Sequence, residues 1–323
     1  MSKIKTILNK IKSIEFLPLI LAFVLIVIFF TIKSPYFFTF NNFMGIILYA
    51  SIVGIISLSN CLVLSAGKID FSVGSTIALG SCVMGIMMRN GYSVWAAIGV
   101  CFLIGIVVGI YNGVMIAYVK MNPFIATLAG MQMLRGFAYL LTDARSIPVS
   151  SDVLKFIGRA RTLGVPNAAW IMIILLCVFL FLVRYTSYGR RIFVIGGSEN
   201  VAYLSGINVK RDLLILFVIH GVITSIASII YTAQLGAALP TAAQNTNFDA
   251  ISGCVLGGVS LTGGKGSLVG GIIGVLMLQT LSNGMNMIGV SSFWQDVITG
   301  FVLIFAVGLD IYKNARKSRV KIA

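Results

Sequence analysis

Long apolar runs separated by short polar stretches are the main pattern of this chain. A helix that crosses a bilayer needs about 20 mostly apolar residues, and most of the runs come close to that length or exceed it. They cover residues 16–32, 44–66, 71–88, 92–119, 124–141, 168–183, 213–235, 268–288 and 297–312. The pattern therefore predicts an all-α, polytopic membrane protein.

One further apolar segment, residues 248–262, is shorter than the others. It is interrupted by Gly253, Gly257 and Gly258, and such segments are tolerated at membrane depth only where neighbouring protein satisfies their backbone. We therefore expect about ten transmembrane helices, with this one buried within the bundle. Residues 1–323 are expected to form one transmembrane domain.

A short internal repeat suggests that the chain has two related halves. Asp70 and Gly74 open the third segment, and Asp249 and Gly253 open the eighth, in both cases as Asp-x-x-x-Gly. Because these segments lie five crossings apart, the halves are predicted to be inverted in topology, a common transporter arrangement. Both aspartates are expected in the first turn of their helix, near the positive end of the helix dipole and within reach of the membrane interface.

Composition agrees with a membrane protein. The chain is 58% hydrophobic and 10% charged, with a mean hydropathy of +1.01, whereas a soluble domain carries about 25% charged residues. The net charge is +15, but the cations cluster between and beyond the apolar runs, where they set membrane topology. Binding to nucleic acid is therefore not expected.

The positions of lysine and arginine predict the orientation. With the N-terminus inside, most cations fall on the inner side, as the positive-inside rule requires. Both termini and the polar insert 184–212 are then cytoplasmic, and the loop 142–167 is extracytoplasmic. The outer cations are Lys33, Arg89, Arg145, Lys155, Arg159 and Arg161. The first run follows Lys3, Lys5, Lys10 and Lys12 without a cleavage site, so we interpret it as an uncleaved span.

Few ionisable residues fall well inside the runs, where such residues are functional candidates. Arg135 either lines a path for a polar solute or pairs with backbone carbonyls at a helix contact, and we favour the structural role. His220 is interpreted as a buried histidine with satisfied hydrogen bonds. Because no Asp or Glu lies in the middle of a run, transport driven by protons or sodium is disfavoured.

A metal site is not expected, because the chain has a single histidine and its cysteines form no CxxC pair. The cysteines all fall in apolar runs and are interpreted as packed side chains. They are Cys61, Cys82, Cys101, Cys177 and Cys254.

Two stretches resemble nucleotide-binding loops, and neither meets the motif. "GGVSLTGGKGS", residues 257–267, departs from G-x-x-x-x-G-K-[ST], and "IFVIGGSENVA", residues 192–202, lacks G-x-G-x-x-G. HExxH and G-x-S-x-G are also absent. The chain is therefore not expected to be an enzyme or to carry its own ATPase.

The insert 184–212 is predicted to contain a short helix over residues 199–205. Ser198 is a helix N-cap, Glu199 suits the first turn, and Gly206 can end the helix. Such a helix is marginal alone, so it either docks on a partner or packs only on its own bundle. The loop 142–167, with a short helix near 153–157, is either a solvated loop or a docking surface.

Several stretches, in matching order from residue 34 to 307, resemble the permease subunit of ribose-type ABC importers. This group also includes branched-chain amino acid permeases. One departure is Lys68, which occupies a position that is glycine in the family pattern Gly-Gly-Ile-Asp-Leu-Ser-Val-Gly. The similar stretches include "SPYFFTFNNFMGIIL", "GKIDFSVGS", "NPFIATLAGMQMLRGFAYLLTDA", "YGRRIFVIGGSENVAYLSGINV" and "FDAISGCVLGGVSLTGGKGSLVGG".

The resemblance implies a bacterial cytoplasmic-membrane permease that imports a sugar or sugar-like solute. It would form a dimer with a second copy or a paralogue. A separate cytoplasmic ATPase subunit would bind the ATP, so the chain needs no cofactor, and an extracytoplasmic solute-binding protein would deliver the solute. The alternative function is an ion-coupled secondary transporter or a channel for a small polar solute.

The resemblance also assigns roles to individual residues. The short helix would be the coupling helix that contacts the ATPase, through Ser198, Glu199, Asn200, Ala202 and Gly206. The outer arginines would dock the binding protein: Arg145, Arg159 and Arg161. In the fifth segment, the polar groups proposed for the translocation path are Thr127, Gln132 and Arg135.

Overall fold

The computed structural model of the chain describes residues 17–320. Its helices are α1 Leu17–Lys33, α2 Phe40–Ser65, α3 Val73–Arg89, α4 Val94–Ala117, α5 Pro123–Thr142, α6 Asp152–Gly158, α7 Asn167–Tyr185, α8 Ser187–Gly197, α9 Glu199–Leu204, α10 Val209–Leu235, α11 Thr246–Leu256, α12 Leu268–Met287 and α13 Ser292–Val320. Strand β1 (Ile147–Pro148) pairs with β4 (Ala237–Ala238), and β2 (Arg161–Thr162) pairs with β3 (Val165–Pro166). The predicted all-α class is confirmed. The lysines before the first run, from Lys3 to Lys12, lie outside the described residues.

The helices are those of a multi-pass membrane protein. Six of them, α2, α4, α5, α7, α10 and α12, are long and apolar enough to cross a bilayer. Shorter apolar helices cover Leu19–Lys33, Val73–Arg89 and Ser292–Phe305. The 11 residues of α11 extend over only about 16 Å at 1.5 Å per residue, against a hydrocarbon core of about 30 Å. The predicted count of ten full crossings is therefore not confirmed.

Helix α11 confirms one expectation for the eighth segment and corrects another. Its residues from Ala250 to Val255 are buried, as predicted. The helix ends at Leu256, however, and does not continue to residue 262. The reason is the glycine-rich sequence that follows, in which Gly258, Gly263 and Gly264 adopt positive φ, a conformation that stops a right-handed helix.

The helices connect two ends of the bundle. The α9 end comprises the connections 66–72, 118–122, 186–208 and 257–267, and the β1 end comprises 34–39, 90–93, 143–166, 236–245 and 288–291. At the α9 end, the backbone N–H of Gly264 donates to the Ser65 carbonyl over 2.8 Å. At the β1 end, the β1–β4 pair joins the loop 142–167 to the chain after α10. The insert and the loop therefore lie at opposite ends, as the apolar pattern predicts.

The core of the bundle is built on α2 and α10. Helix α2 is buried from Ala50 to Ser65, whereas α4, α5 and α7 expose large apolar side chains such as Leu103, Phe137 and Phe181. An exterior of this kind suits lipid tails, which are as apolar as leucine.

Small residues allow α4 and α10 to approach closely. Gly105 and Gly109 of α4 face Gly221 of α10, and a Cβ at Gly109 would lie 2.7 Å from the Cα of Val218. Close backbone approach through glycine is typical of helix pairs in membranes. A larger side chain at either glycine would separate the two helices.

Helix contacts repeat between the two halves. Three helix contacts each have a counterpart. The α2–α12 contact corresponds to the α10–α4 contact, the α3–α4 contact corresponds to the α11–α12 contact, and the α3–α10 contact corresponds to the α11–α2 contact. Asn112-Gly113 near the end of α4 matches Asn283-Gly284 near the end of α12. These matched contacts support the repeat predicted from the two Asp-x-x-x-Gly sequences.

Candidate functional site

The insert forms two helices, α8 and α9, of which the sequence predicted only the second. Helix α8 is capped by the Thr186 hydroxyl, which accepts from the Gly189 N–H, and it buries Ile192 and Ile195. Tyr188, Ile192 and Ile195 are spaced four and three residues apart, which is the periodicity of an amphipathic helix. That signal could have revealed α8, but residues 192–202 were compared only with a nucleotide-binding loop.

Helix α9 confirms the predicted short helix, one residue shorter than expected. The Ser198 hydroxyl accepts from the Val201 N–H over 3.3 Å, and Glu199 lies in the first turn. Ser205 is the C-cap residue, and Gly206 follows with a φ of 78°. Ala202 is fully buried against the bundle, and Asn200 is exposed.

The outer side of α9 is apolar. Val201, Tyr203 and Leu204 are 56%, 75% and 83% exposed, although they lie at an end of the bundle and not on its lipid-facing sides. Contiguous exposed apolar side chains mark interaction surfaces. None of these three residues is among those predicted for the site from the sequence, where the caps Ser198 and Gly206 indicate the helix but not which side faces outward.

An ion pair fastens α8 to α10. Arg191 donates from Nε to Asp212 Oδ2 over 2.6 Å and from Nη2 to Oδ1 over 3.4 Å, and Asp212 is buried. The Tyr188 hydroxyl donates to the Asp212 carbonyl over 3.1 Å. Burial, with a smaller effect of the Asp212 charge, raises the pKa of Tyr188 well above its usual value, so the phenol keeps the proton that it donates.

A second ion pair fastens α9 to the turn after α2. Lys68 Nζ lies 2.5 Å from Glu199 Oε1, and the Lys68 backbone N–H donates to the Val63 carbonyl over 3.0 Å. Gly67, which has a φ of 71°, supplies the left-handed residue of this turn. Position 68 therefore tolerates a side chain.

Glycines bring the end of α8 into backbone contact with two other connections. A Cβ at Gly196 would overlap the Ser65 carbonyl and lie 2.7 Å from the Gly264 nitrogen. A Cβ at Gly263 would lie 2.9 Å from Gly67. The insert, the turn after α2 and the loop before α12 therefore form one closely fitted unit.

Asp70 is the centre of a buried polar cluster. Its Oδ1 accepts from the Ser72 N–H over 2.7 Å and from the Ser72 hydroxyl over 2.6 Å, and its Oδ2 accepts from Asn112 Nδ2 over 3.0 Å. His220 Nε2 lies 3.7 Å from Oδ2, and its Nδ1 lies 2.7 Å from the Ser59 hydroxyl. The prediction that His220 is buried is confirmed, but the prediction that its hydrogen bonds are satisfied is wrong for Nε2, which is buried without a hydrogen-bond partner among the described residues.

The placement predicted for Asp70 is wrong in two respects. Helix α3 begins at Val73, so Asp70 precedes the helix instead of lying in its first turn. It is also only 2% exposed and does not reach the interface. The reason is that Ser72, Asn112 and His220 surround it, and two of these residues come from distant parts of the sequence. Gly74 lies in the first turn, beneath the Ala243 carbonyl.

Asp249, the counterpart of Asp70, has different surroundings. It lies in the first turn of α11, as predicted, and it is half-buried. The exposed Asp296 lies nearby, with its Oδ1 3.5 Å from Asn245 Nδ2. Gly253 faces α12, where a Cβ would lie 3.1 Å from the Val275 nitrogen.

The residues predicted for the path have distinct environments. The Thr127 hydroxyl is buried, accepts from the Phe71 N–H over 3.2 Å and donates to the Pro123 carbonyl. Arg135 Nη1 donates to the Pro240 and Ala242 carbonyls over 2.7 and 2.8 Å, which confirms the favoured structural pairing. Gln132 is exposed. Their part in a path stays a prediction.

The loop 142–167 contains the predicted short helix as α6. Arg159 Nε donates to the Gln234 carbonyl over 2.9 Å, and Arg161 Nη1 donates to Asn41 Oδ1 over 3.3 Å. Arg145 is exposed, and its backbone N–H donates to the Thr142 carbonyl. All three arginines lie at the β1 end, and their docking role stays a prediction.

Sulfur and acidic side chains do not form a metal site in residues 17–320, because no group of three or more His, Cys, Asp or Glu side chains there could hold an ion. Cys61 and Cys254 are free thiols whose sulfur atoms lie 3.1 Å apart between α2 and α11. Both are buried, as are Cys82 and Cys101, in keeping with packed side chains. Cys177 is exposed, so this interpretation is wrong for that residue.

Comparisons with known proteins agree over most of the chain. The family described as "Branched-chain amino acid transport system / permease component" matches residues 42–307. The chain is 38% identical over 300 residues to the ribose import permease protein RbsC of Escherichia coli (strain K12), with 92% of this chain and 93% of the relative covered. No solved structure matches it.

Two further relatives come from the same strain. The chain is 34% identical over 302 residues to the L-arabinose transport system permease protein AraH, with 94% of this chain and 92% of the relative covered. It is 33% identical over 311 residues to the probable ABC transporter permease protein YphD, with 96% and 93% covered. The similarity thus includes the insert, the loop 142–167 and both aspartate segments.

Proposed function

The chain belongs to the family of permease components of branched-chain amino acid transport systems, and from this premise we propose that it is the membrane-spanning permease subunit of an ABC importer. Its relatives carry the names of a ribose import permease, an L-arabinose transport permease and a probable ABC transporter permease. A monosaccharide or a similar polyhydroxylated solute is therefore the proposed cargo.

The observation that carries the proposal is the apolar outer side of α9. Val201, Tyr203 and Leu204 are exposed on a capped helix that is held to the bundle by Ala202 and by Glu199. The proposed occupant of this surface is a cytoplasmic ATPase subunit, since the chain has no nucleotide-binding motif and the relatives' names imply one. Ser198, Asn200 and Gly206 would shape the ends of the docked helix.

Coupling would follow from the way the insert is attached. When the ATPase subunits close on ATP, α9 would move with them as a rigid element. The Arg191–Asp212 pair would pass that motion to α10, and the contacts of Gly196 would pass it to the turn after α2 and to the loop before α12. Motion of these helices would open the path at the opposite end.

The β1 end is the proposed site for an extracytoplasmic solute-binding protein. Arg145, Arg159 and Arg161 are exposed there and would attract acidic residues of that protein. Rim charges of this kind mainly steer association and are sensitive to salt. The α9 end would then be cytoplasmic, with both termini, in the cytoplasmic membrane of a bacterium.

A second permease, either another copy or a paralogue, is proposed to complete the path. Three residues of α5 remain those that we propose to line the translocation path: Thr127, Gln132 and Arg135. Selectivity would come chiefly from the binding protein, so the path need not hold the solute tightly.

Reconstitution in lipid vesicles tests the proposal. The purified chain should take up neither ribose nor L-arabinose alone, and it should support ATP-dependent uptake once its ATPase and binding protein are added. Uptake by the chain alone, driven by a sodium or proton gradient, would establish the alternative of a secondary transporter. Ungated flux in both directions would indicate a channel.

A further inference from the structure

We propose that Lys68 is a positioning residue that transmits the displacement of α9 to the segment 68–72 and so to the buried Asp70 cluster. This inference rests on the proposed role of α9 and goes beyond it, because it names a residue through which the motion enters the core.

The two ion pairs of the insert differ in what they join. Arg191–Asp212 joins α8 to α10, which follows the insert directly in the chain. Lys68–Glu199 joins residues 131 positions apart and connects α9 to the turn between α2 and α3. A displacement of Glu199 therefore acts on a part of the bundle that the chain itself does not connect to the insert.

The turn that carries Lys68 is rigid enough to pass on a displacement. The Lys68 backbone is hydrogen-bonded to Val63, and Gly67 is closely approached by Gly263. Asp70 lies two residues further on, within about 7 Å along an extended chain. A shift at Lys68 would thus reach the carboxylate that Ser72 and Asn112 hold and that His220 faces.

The exposure of the pair favours a role in transmission over one in stability. The Lys68 side chain is 16% exposed and the Glu199 side chain is 50% exposed. Because the Glu199 carboxylate is half exposed, water screens the pair, and such a pair contributes little to the stability of a fold. Breaking the pair should therefore leave a folded, assembled protein in which coupling is impaired, and that separates the two roles experimentally.

Charge reversal in the complete, reconstituted importer tests the inference. Lys68→Glu and Glu199→Lys are made singly and together, and solute uptake per ATP hydrolysed is measured beside thermal stability and assembly with the ATPase. We expect each single variant to lower uptake per ATP about five- to tenfold, the lower end of the range of typical coupling energies, with stability and assembly retained. The double variant should restore the ratio, because the pair is rebuilt with opposite polarity.

A matched control is the Asp152–Lys155 pair of α6, which lies at the β1 end and is exposed. Because α6 lies in the loop proposed to dock the binding protein, this pair controls only for the effect of charge reversal on the fold: Asp152→Lys and Lys155→Glu should leave thermal stability and assembly with the ATPase unchanged. The inference would be overturned if Lys68→Glu and Glu199→Lys each retained the wild-type uptake per ATP hydrolysed. It would also be overturned if the double variant were as impaired as the two single variants. If the wild-type complex itself shows no ATP-driven uptake, the proposed function fails first, and the two failures are thereby distinguished.

Discussion

The two ends of the bundle are built differently. At the α9 end, the connections contact one another through backbone at Gly196, Gly67 and Gly263 and are fastened by two ion pairs. At the β1 end, the loop 142–167 has one such glycine contact, Gly158 against Ala233, and is otherwise held by buried apolar side chains, strands of two residues and hydrogen bonds from arginines to carbonyl and amide oxygens, without an ion pair to another element within residues 17–320. A lever must be attached rigidly, whereas a docking loop needs only to present its charges. The difference therefore fits coupling to the ATPase at the α9 end and delivery of the solute at the β1 end.

The largest effect on this comparison is expected from Arg191→Met. It leaves the buried Asp212 carboxylate without its partner, and breaking a buried pair costs about 3 kcal/mol or more. Thermal unfolding in detergent micelles measures the loss. The control Lys155→Met breaks the exposed pair at the β1 end and should produce no measurable change. Equal losses in the two variants would mean that the ends are not built differently.

A smaller effect is expected from Gly196→Ala. The added Cβ has no room beside the Ser65 carbonyl, and overpacking of this kind costs about 1–3 kcal/mol. Gly197 is the matched control, because a Cβ there meets nothing within 4 Å. The same unfolding assay compares the two variants. If Gly196→Ala is as stable as Gly197→Ala, the connections at the α9 end can move apart at little cost, and they are not closely fitted.

The smallest effects are expected at the β1 end. Arg159→Ala removes the hydrogen bond to the Gln234 carbonyl and should cost about 1 kcal/mol.

Arg145→Glu should leave the unfolding temperature unchanged and weaken docking of the binding protein at low salt, with less effect at high salt. Measuring the affinity for the binding protein at low and at high ionic strength tests the docking effect. Unchanged docking of Arg145→Glu at low salt would remove this arginine from the proposed surface.

The sequence predicts the local features of the molecule well. Helix α9 follows from Ser198, Glu199 and Gly206, because capping depends on neighbours in the chain. The spans, the position of the insert and the helix near residues 153–157 follow from the apolar pattern in the same way.

The features that the sequence did not predict depend on distant contacts. Asp70 was placed at a helix start, yet its surroundings are set by Asn112 and His220, which are far away in the chain. The contact of Lys68 with Glu199 likewise joins residues 131 positions apart in the chain. Helix α8 is also not predicted, and the glycine at its C-terminal end, Gly196, is required by a contact with Ser65, which is distant in the chain.

Binding of the ATPase subunit to two matched variants tests the central claim most directly. Leu204 of α9 and Leu163 of the β2–β3 hairpin are 83% and 87% exposed, at opposite ends of the bundle. Each is replaced by glutamate, and co-purification of the ATPase and stimulation of its ATP hydrolysis are measured. The account predicts that Leu204→Glu loses both and that Leu163→Glu keeps both. Full binding and stimulation in Leu204→Glu would contradict it.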